Sequence, residues 1–199
     1  MGIKNTENHS IMVRVDWNEN RWQKPSKNLK HAETFIFVKE NKISYTAFNF
    51  AQELYPPETD GLWYGLIPSF WSKTPDADKI RNLKIVFIIS NHNKKDLIVG
   101  LYAFPIIQNG MRKNKIPDYN EYDMINIGAK PNNILQIQNY VDIESIDKCR
   151  YLGDQQISTQ GWNYLNQSQT GYLFDSIQKI NGENKQLNKI KFEYLKSNK

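Results

Sequence analysis

The sequence has very few of the residues that build disulfides and metal centres. Of its 199 residues one is a cysteine, Cys149, and three are histidines, His9, His31 and His92. A single cysteine cannot form an internal disulfide, and the histidines are not at the spacing of zinc ligands. We therefore expect no metal and no other cofactor. The cysteine content also favours a reducing compartment, the cytoplasm.

Long apolar segments and catalytic signatures are missing as well. The mean hydropathy is -0.68, and no apolar run is long enough to span a membrane. The first residues lack the pattern of a secretory signal, so we expect no membrane partner. The sequence has no glycine-rich phosphate loop and no nucleophile elbow. Its Asp and Glu residues fall in segments typical of surface turns and do not form the cluster of carboxylates that holds Mg²⁺ in a nuclease. This pattern favours a protein that binds its ligand without catalysing a reaction.

Aromatic residues, by contrast, are abundant. They make up 13% of the chain and include five tryptophans. Tryptophan is favoured at binding surfaces, because its large ring gives apolar contact and its N–H gives a hydrogen bond. The aromatic side chains concentrate in two segments, with Trp17 and Trp22 in the first, and Trp63, Tyr64, Phe70 and Trp71 in the second.

The positive charge is unevenly distributed. The net charge is +5, and residues 176–199 hold six lysines against two glutamates, so four of the five charges lie there. The rest of the chain is nearly neutral, and bulk charge alone would not hold a nucleic acid. Phosphate contacts would therefore need local basic residues beside the aromatic segments or in a basic loop, and the candidates are Arg21, Lys24, Arg112, Lys113 and Lys115.

Hydrophobic periodicity divides the chain into strands, helices and loops. Strands are predicted at 11–15, 34–38, 83–90, 97–107 and 134–141, helices at 173–180 and 187–195, and loops at 108–116 and 162–172. The two central strands form a hairpin, and Gly100 inside the second one indicates a bulge or a close backbone approach.

This hairpin carries a resemblance to a known family. The first strand ends in Ile89-Ser90-Asn91, a polar turn follows, and the second strand contains Ile98-Val99-Gly100-Leu101-Tyr102-Ala103. With the aromatic segment before it and Trp17 and Trp22 after the first strand, roughly residues 11–107 resemble the PUA-like domains of the EVE and YTH type. The resemblance implies an α+β fold, a mixed β-barrel of five or six strands flanked by helices. Residues 1–199 would then be a single domain, with 1–10 disordered and 176–199 a basic helical C-terminal segment.

Domains of this type hold one modified base in an aromatic cage. The resemblance therefore implies a nucleic-acid-binding module that takes a methylated base flipped out of its stack, with DNA favoured over RNA. Such modules recognise DNA in modification-dependent restriction systems, whose motor and nuclease subunits or domains would be partners. A reader of RNA modifications, a protein-interaction module and a nuclease are the alternatives.

The family plan brings the two aromatic segments together at one mouth of the barrel, which assigns the site residues. The predicted cage is Trp17, Trp22, Trp63, Tyr64 and Trp71, of which two or three would face one concave site, and the predicted hydrogen-bonding groups for the base edge are Asp16, Asn18, Ser90 and Asn91.

Overall fold

The structure, a computed structural model, describes residues 9–27, 36–41, 44–73, 75, 77–113, 122–153, 155–158 and 161–197. These residues form eight strands and six α-helices. The strands are β1 (His9–Val15), β2 (Trp63–Gly65), β3 (Leu83–His92), β4 (Lys95–Ala103), β5 (Ile106–Lys113), β6 (Tyr122–Ala129), β7 (Ile134–Asp142) and β8 (Trp162–Leu165). The helices are α1 (Ile36–Asn41), α2 (Pro68–Ser72), α3 (Ala77–Arg81), α4 (Lys148–Tyr151), α5 (Gln167–Asn181) and α6 (Lys185–Lys196).

The strands form two sheets. The larger has five strands in the order β7-β4-β3-β1-β8, and the smaller has three in the order β2-β6-β5. Strands β1 and β3 are parallel, whereas the other neighbours are antiparallel. The α+β class is therefore confirmed. The resemblance implied a closed barrel of five or six strands. In the described part of the chain, however, the eight strands pair into two separate sheets, and these do not close into a barrel.

The five-stranded sheet is covered on both faces, because side chains alternate between the two faces of a strand. On β3, Phe87 belongs to a core that it shares with Phe174 of α5 and Leu187 of α6. The next residue, Ile88, belongs to a second core, which includes Ile127 of β6. The fold thus has three layers: the two C-terminal helices, the five-stranded sheet and the three-stranded sheet.

The predicted central hairpin is confirmed. Strands β3 and β4 pair antiparallel, and Val86, Ile88 and Val99 are fully buried. The pairing shifts register beside Gly100, as predicted from a glycine inside a strand. A Cβ added at Gly100 would lie 2.6 Å from Leu135 O and closer still to the ring of Phe50, so the glycine is required by close packing.

The predicted C-terminal helices are also confirmed. Helix α5 begins at a capping box, in which Asn166 Oδ1 accepts from Gln169 N at 2.9 Å and Gln169 Oε1 accepts from Asn166 N at 2.8 Å. It is followed by Gly182, whose φ of 70° is readily adopted only by glycine. No helix in the described part is long and apolar enough to cross a membrane.

Four sequence predictions of local structure were wrong. The predicted strand 97–107 ends at Ala103, and Ile106 begins strand β5 of the other sheet. The described part of 34–38 lies in helix α1, the predicted basic loop 108–116 begins with strand β5, and β8 lies in the region 162–172 predicted as loops. Strands β5 and β8 are edge strands of their sheets. Edge strands tolerate polar residues and glycine, because one side of their backbone faces no partner, so their sequences resemble loops.

Candidate functional site

The loop that follows β1 is built around Trp22. The indole of Trp22 is fully buried, and its Nε1 donates to Asp16 O at 2.9 Å. Asn18 Oδ1 accepts from the backbone N–H groups of Asn20 and Trp22 at 2.8 and 3.2 Å, while Asn18 Nδ2 donates to Lys24 O at 3.0 Å. Trp22 therefore anchors the loop from inside, and Asn18, predicted to contact a base edge, instead has both ends of its amide bonded within the loop.

Trp17 lies above this anchor and stays half-buried. It stacks on His92, at the end of β3, with ring centroids 4.0 Å apart and an interplanar angle of 18°. Its ring also meets Trp22 and Tyr140 edge-on, at 5.6 and 5.9 Å. The guanidinium of Arg21 lies 5.2 Å from the Tyr140 centroid. We call these five residues the Trp17 cluster.

Arg21 is fixed by more than the ring beneath it. Its Nη2 donates to Ile137 O at 2.8 Å, and its own carbonyl accepts from Gln136 Nε2 at 2.6 Å. The loop is thereby tied to β7. A predicted phosphate-binding residue thus has a fixed position beside the Tyr140 ring, while Lys24 in the same loop is exposed.

Asp16, predicted to contact a base edge, is buried and bonded inside the protein. Its Oδ2 accepts from Ser44 Oγ at 2.6 Å, and its Oδ1 accepts from the hydroxyl of Thr46. Burial raises the pKa of the Asp16 carboxyl, although the hydrogen bonds from Ser44 and Thr46 act in the opposite direction. This carboxylate connects the Trp22 loop to the 3₁₀ turn at Tyr45–Phe48.

Ser90 and Asn91 are consecutive on β3, so their side chains point to opposite faces of the sheet. Ser90 is fully buried on the face that carries His92, and its hydroxyl has no hydrogen-bond partner among the described residues. Asn91 is exposed and donates to Asp96 Oδ1 at 2.8 Å, and Arg14 binds the same carboxylate at 2.5 and 2.8 Å. The structure therefore does not bring these two predicted residues into one site.

The hydrogen-bond partners of Asp96 change the pKa of its carboxyl group. Burial alone would raise the pKa of its carboxyl, but the hydrogen bonds from Arg14 and Asn91 outweigh burial and hold the pKa below its usual value. Asn91 therefore belongs to an ion-pair network between β1, β3 and β4.

A second group of predicted residues meets in the three-stranded sheet. Trp63 is only 3% exposed, and its ring stacks on Tyr55 with centroids 6.4 Å apart. The guanidinium carbon of Arg112 lies 4.4 Å from the Trp63 centroid, and its Nε and Nη2 are each 3.5 Å from Asp123 Oδ2. Burial raises the pKa of Asp123 to about 6, although the charge of Arg112 acts to lower it. We call Tyr55, Trp63, Arg112 and Asp123 the Arg112 cluster.

The remaining predicted residues lie outside both clusters. Tyr64 donates to Asp60 Oδ2 at 2.6 Å, and burial, followed by Asp60, raises the pKa of Tyr64 to about 12. Trp71, on α2, is 41% exposed. Lys113 is exposed on β5, and Lys115 lies outside the described residues.

Sequence reasoning missed four of the nine residues in the two clusters. His92 and Tyr140 in the Trp17 cluster, and Tyr55 and Asp123 in the Arg112 cluster, come from segments far from the predicted cage residues. The only available signal was that His92 follows one predicted strand and Tyr140 ends another. The prediction that two or three of the five cage residues share one concave site stays a prediction.

No protein-family model matches the chain, and no curated protein or solved structure is significantly similar to it. The resemblance to PUA-like domains therefore stays a prediction. No three His, Cys, Asp or Glu side chains within the described ranges converge as they would around a metal ion.

Proposed function

We propose that the chain is a non-catalytic nucleic-acid-binding protein that accepts an unstacked, modified base at the Trp17 cluster. The observation that carries this proposal is the half-buried indole of Trp17, held by a stacked histidine and two edge-on rings. Stacking of a base on an aromatic side chain stabilises binding by about 1–3 kcal/mol, which offsets the few kcal/mol that unstacking the base requires. A methyl group on the base adds apolar contact area.

The surroundings of Trp17 support this role in two ways. Its ring is already fixed by its neighbours, so little side-chain freedom is lost when a ligand stacks on it. Arg21 and the exposed Lys24 are in the same loop, where positive charge can contact the phosphates on either side of the base without reading sequence.

The same proposal extends to the family and the biological system of the protein. A PUA-like module of the EVE and YTH type, working in the cytoplasm with the motor and nuclease of a modification-dependent restriction system, would use such a site on DNA. The β3–β4 hairpin, with Gly100 beside its register shift and tryptophans in the loops around it, supports this identity.

The test is a binding panel on DNA and RNA oligonucleotides that carry methylated adenine, methylated cytosine, hydroxymethylcytosine or no modification. Trp17→Ala should weaken binding of the preferred modified oligonucleotide by about 1–3 kcal/mol, roughly 5- to 150-fold. Binding of the unmodified duplex, held by its phosphates, should change much less. Fluorescence polarisation measures both.

The matched control is Trp71→Ala, because Trp71 has an accessible indole ring but lies on α2 outside the cluster. It should leave both affinities nearly unchanged. The proposal fails if no oligonucleotide binds, or if Trp17→Ala leaves the ratio of modified to unmodified binding as it was. Circular dichroism confirms that both variants are folded.

A further inference from the structure

The Arg112 cluster contains two buried hydrogen-bond donors that have no acceptor. Neither Arg112 Nη1 nor Trp63 Nε1 is exposed to solvent, and neither has a hydrogen-bond partner among the described residues. Both groups can only donate. The Arg112 side chain is 9% exposed, so it is not the solvated phosphate-binding residue of an exposed loop that the sequence predicted.

Leaving a buried donor unpaired is unfavourable by about 1–3 kcal/mol, and folded proteins do so rarely. Here two such donors belong to one cluster, in which the guanidinium carbon of Arg112 lies 4.4 Å from the centroid of the Trp63 ring. Its other two nitrogens already face Asp123. The remaining Nη1 and the indole N–H can therefore be satisfied by an oxygen atom of a bound ligand.

The net charge of the Arg112 cluster indicates whether the ligand oxygen is neutral or charged. Asp123 is buried beside the guanidinium, and with its pKa near 6 its carboxyl is mainly ionised at neutral pH. The negative carboxylate already compensates the positive guanidinium. A phosphate would add uncompensated negative charge next to Asp123, whereas a carbonyl oxygen can accept from both donors without adding charge.

We propose that Arg112 Nη1 and Trp63 Nε1 together bind a carbonyl oxygen of a nucleobase. Arginine is the side chain that most often donates to a base carbonyl, that of guanine. The proposal rests on the proposed function only for the identity of the molecule that supplies the carbonyl. The paired donors themselves follow from the structure.

The test follows the indole N–H signals of ¹⁵N-labelled protein by NMR while free nucleosides are added. The substitution Trp63→Phe assigns the Trp63 signal, because that signal alone disappears. With guanosine, cytidine or thymidine, the Trp63 signal should move downfield and saturate, since a hydrogen bond from the indole N–H to a carbonyl oxygen deshields the indole proton. Adenosine, which has no carbonyl oxygen, is the matched control and should leave the signal in place.

The Trp71 indole gives an internal control, because Trp71 lies on α2 outside both clusters. Its signal should not move in any titration. Arg112→Lys keeps the positive charge beside Asp123 but loses the planar fork of donors, and it should weaken nucleoside binding about tenfold or more. The titration of the unaltered protein decides the question even if this variant does not fold.

Each remaining result would overturn the inference. An unmoved Trp63 signal at about 10 mM nucleoside, above the millimolar range of weak sites, would show that no nucleobase carbonyl binds there. Equal movement with adenosine, or movement with inorganic phosphate alone, would exclude a neutral carbonyl. Equal movement with N-methylacetamide would indicate a peptide rather than a base.

Failure of this inference and failure of the proposed function are distinguishable. Free nucleosides test the Arg112 cluster without requiring an oligonucleotide to bind. Oligonucleotide binding that depends on Trp17, with an unmoved Trp63 signal, would overturn the inference alone. A Trp63 signal that moves with nucleosides, in a protein that binds no oligonucleotide, would overturn the proposed function alone.

Discussion

Asn49 and Asn126 show how a buried amide side chain can take the place of a neighbouring strand. Asn49 Oδ1 and Nδ2 bond to the backbone N–H and C=O of Leu66, both at 2.8 Å. Asn126 does the same to Ile67, at 2.7 and 2.8 Å. The two amides hold the segment between β2 and α2 in place and satisfy its buried backbone groups. They are thus structural residues that fix the position of the aromatic segment.

Asp123 leads to a prediction about pH. Its carboxyl has a pKa of about 6 in the folded protein, raised from 3.8 mainly by burial. The folded state therefore binds the proton more tightly than the unfolded state, and this group makes the protein less stable as pH rises from about 4 to 6. Asp123→Asn cannot ionise, so the stability of wild type relative to the variant should fall by on the order of 2 kcal/mol between about pH 4 and pH 7.

Urea unfolding of both proteins at several pH values measures this difference, and the other carboxyl groups cancel in the comparison. A difference between the two proteins that stays constant across this pH range would mean that Asp123 has an ordinary pKa in the folded state.

At the scale of residues, the sequence identified the loop that carries aromatic side chains but not their environment. In that loop Trp17 meets Trp22 edge-on, and Arg21 lies over Tyr140. Trp22, one of the predicted cage residues, is fully buried. Asp16 and Asn18 were predicted to face a ligand, but their side chains are bonded to neighbouring protein groups. A sequence shows that a residue is polar but not which distant hydroxyl or carbonyl will bond it.

At the scale of elements, the β3–β4 hairpin leads to a prediction about Gly100. Gly100→Ala should destabilise the protein by about 1–3 kcal/mol, because the added methyl group meets the carbonyl of Leu135 and the ring of Phe50. Gly171→Ala is the matched control, because a Cβ at Gly171 in helix α5 meets nothing within 4 Å. It should stabilise the helix by about 0.5–1 kcal/mol.

Thermal unfolding of the two variants beside wild type measures these opposite shifts. Equal stability of Gly100→Ala and wild type would mean that β4 does not approach Phe50 and Leu135 as closely as described.

The sequence predicted the interior strands of the five-stranded sheet more reliably than the edge strands. Strands β3 and β4 were recognised because they are apolar and rich in β-branched residues. Of the edge strands, β7 was recognised, whereas β5 and β8 were taken for loops, since burial imposes less pattern on an edge strand. The sheet arrangement could not be read from the sequence either, because the parallel pairing of β1 with β3 joins segments about 75 residues apart along the chain.

At the scale of the whole molecule, the basic helix α6 and the Trp17 cluster lie on opposite faces of the five-stranded sheet. Helix α6, which carries much of the positive charge, packs on one face of the five-stranded sheet through Leu187, Ile190 and Tyr194. The Trp17 cluster lies against the core on the opposite face. A nucleic acid held at Trp17 would therefore contact Lys24 in the same loop and would not reach Lys189 on α6.

This separation predicts which lysine affects the salt dependence of binding. Lys24→Gln should lower the slope of log K against log salt by about one and weaken modified and unmodified oligonucleotides alike, because a phosphate contact carries no sequence information. Lys189→Gln removes the same charge from an exposed lysine of α6 and should leave the slope unchanged. Binding titrations between low and physiological salt measure both slopes. If the slope changes with Lys189 and not with Lys24, the nucleic acid binds the helical face, and Trp17 cannot be the residue on which its base stacks.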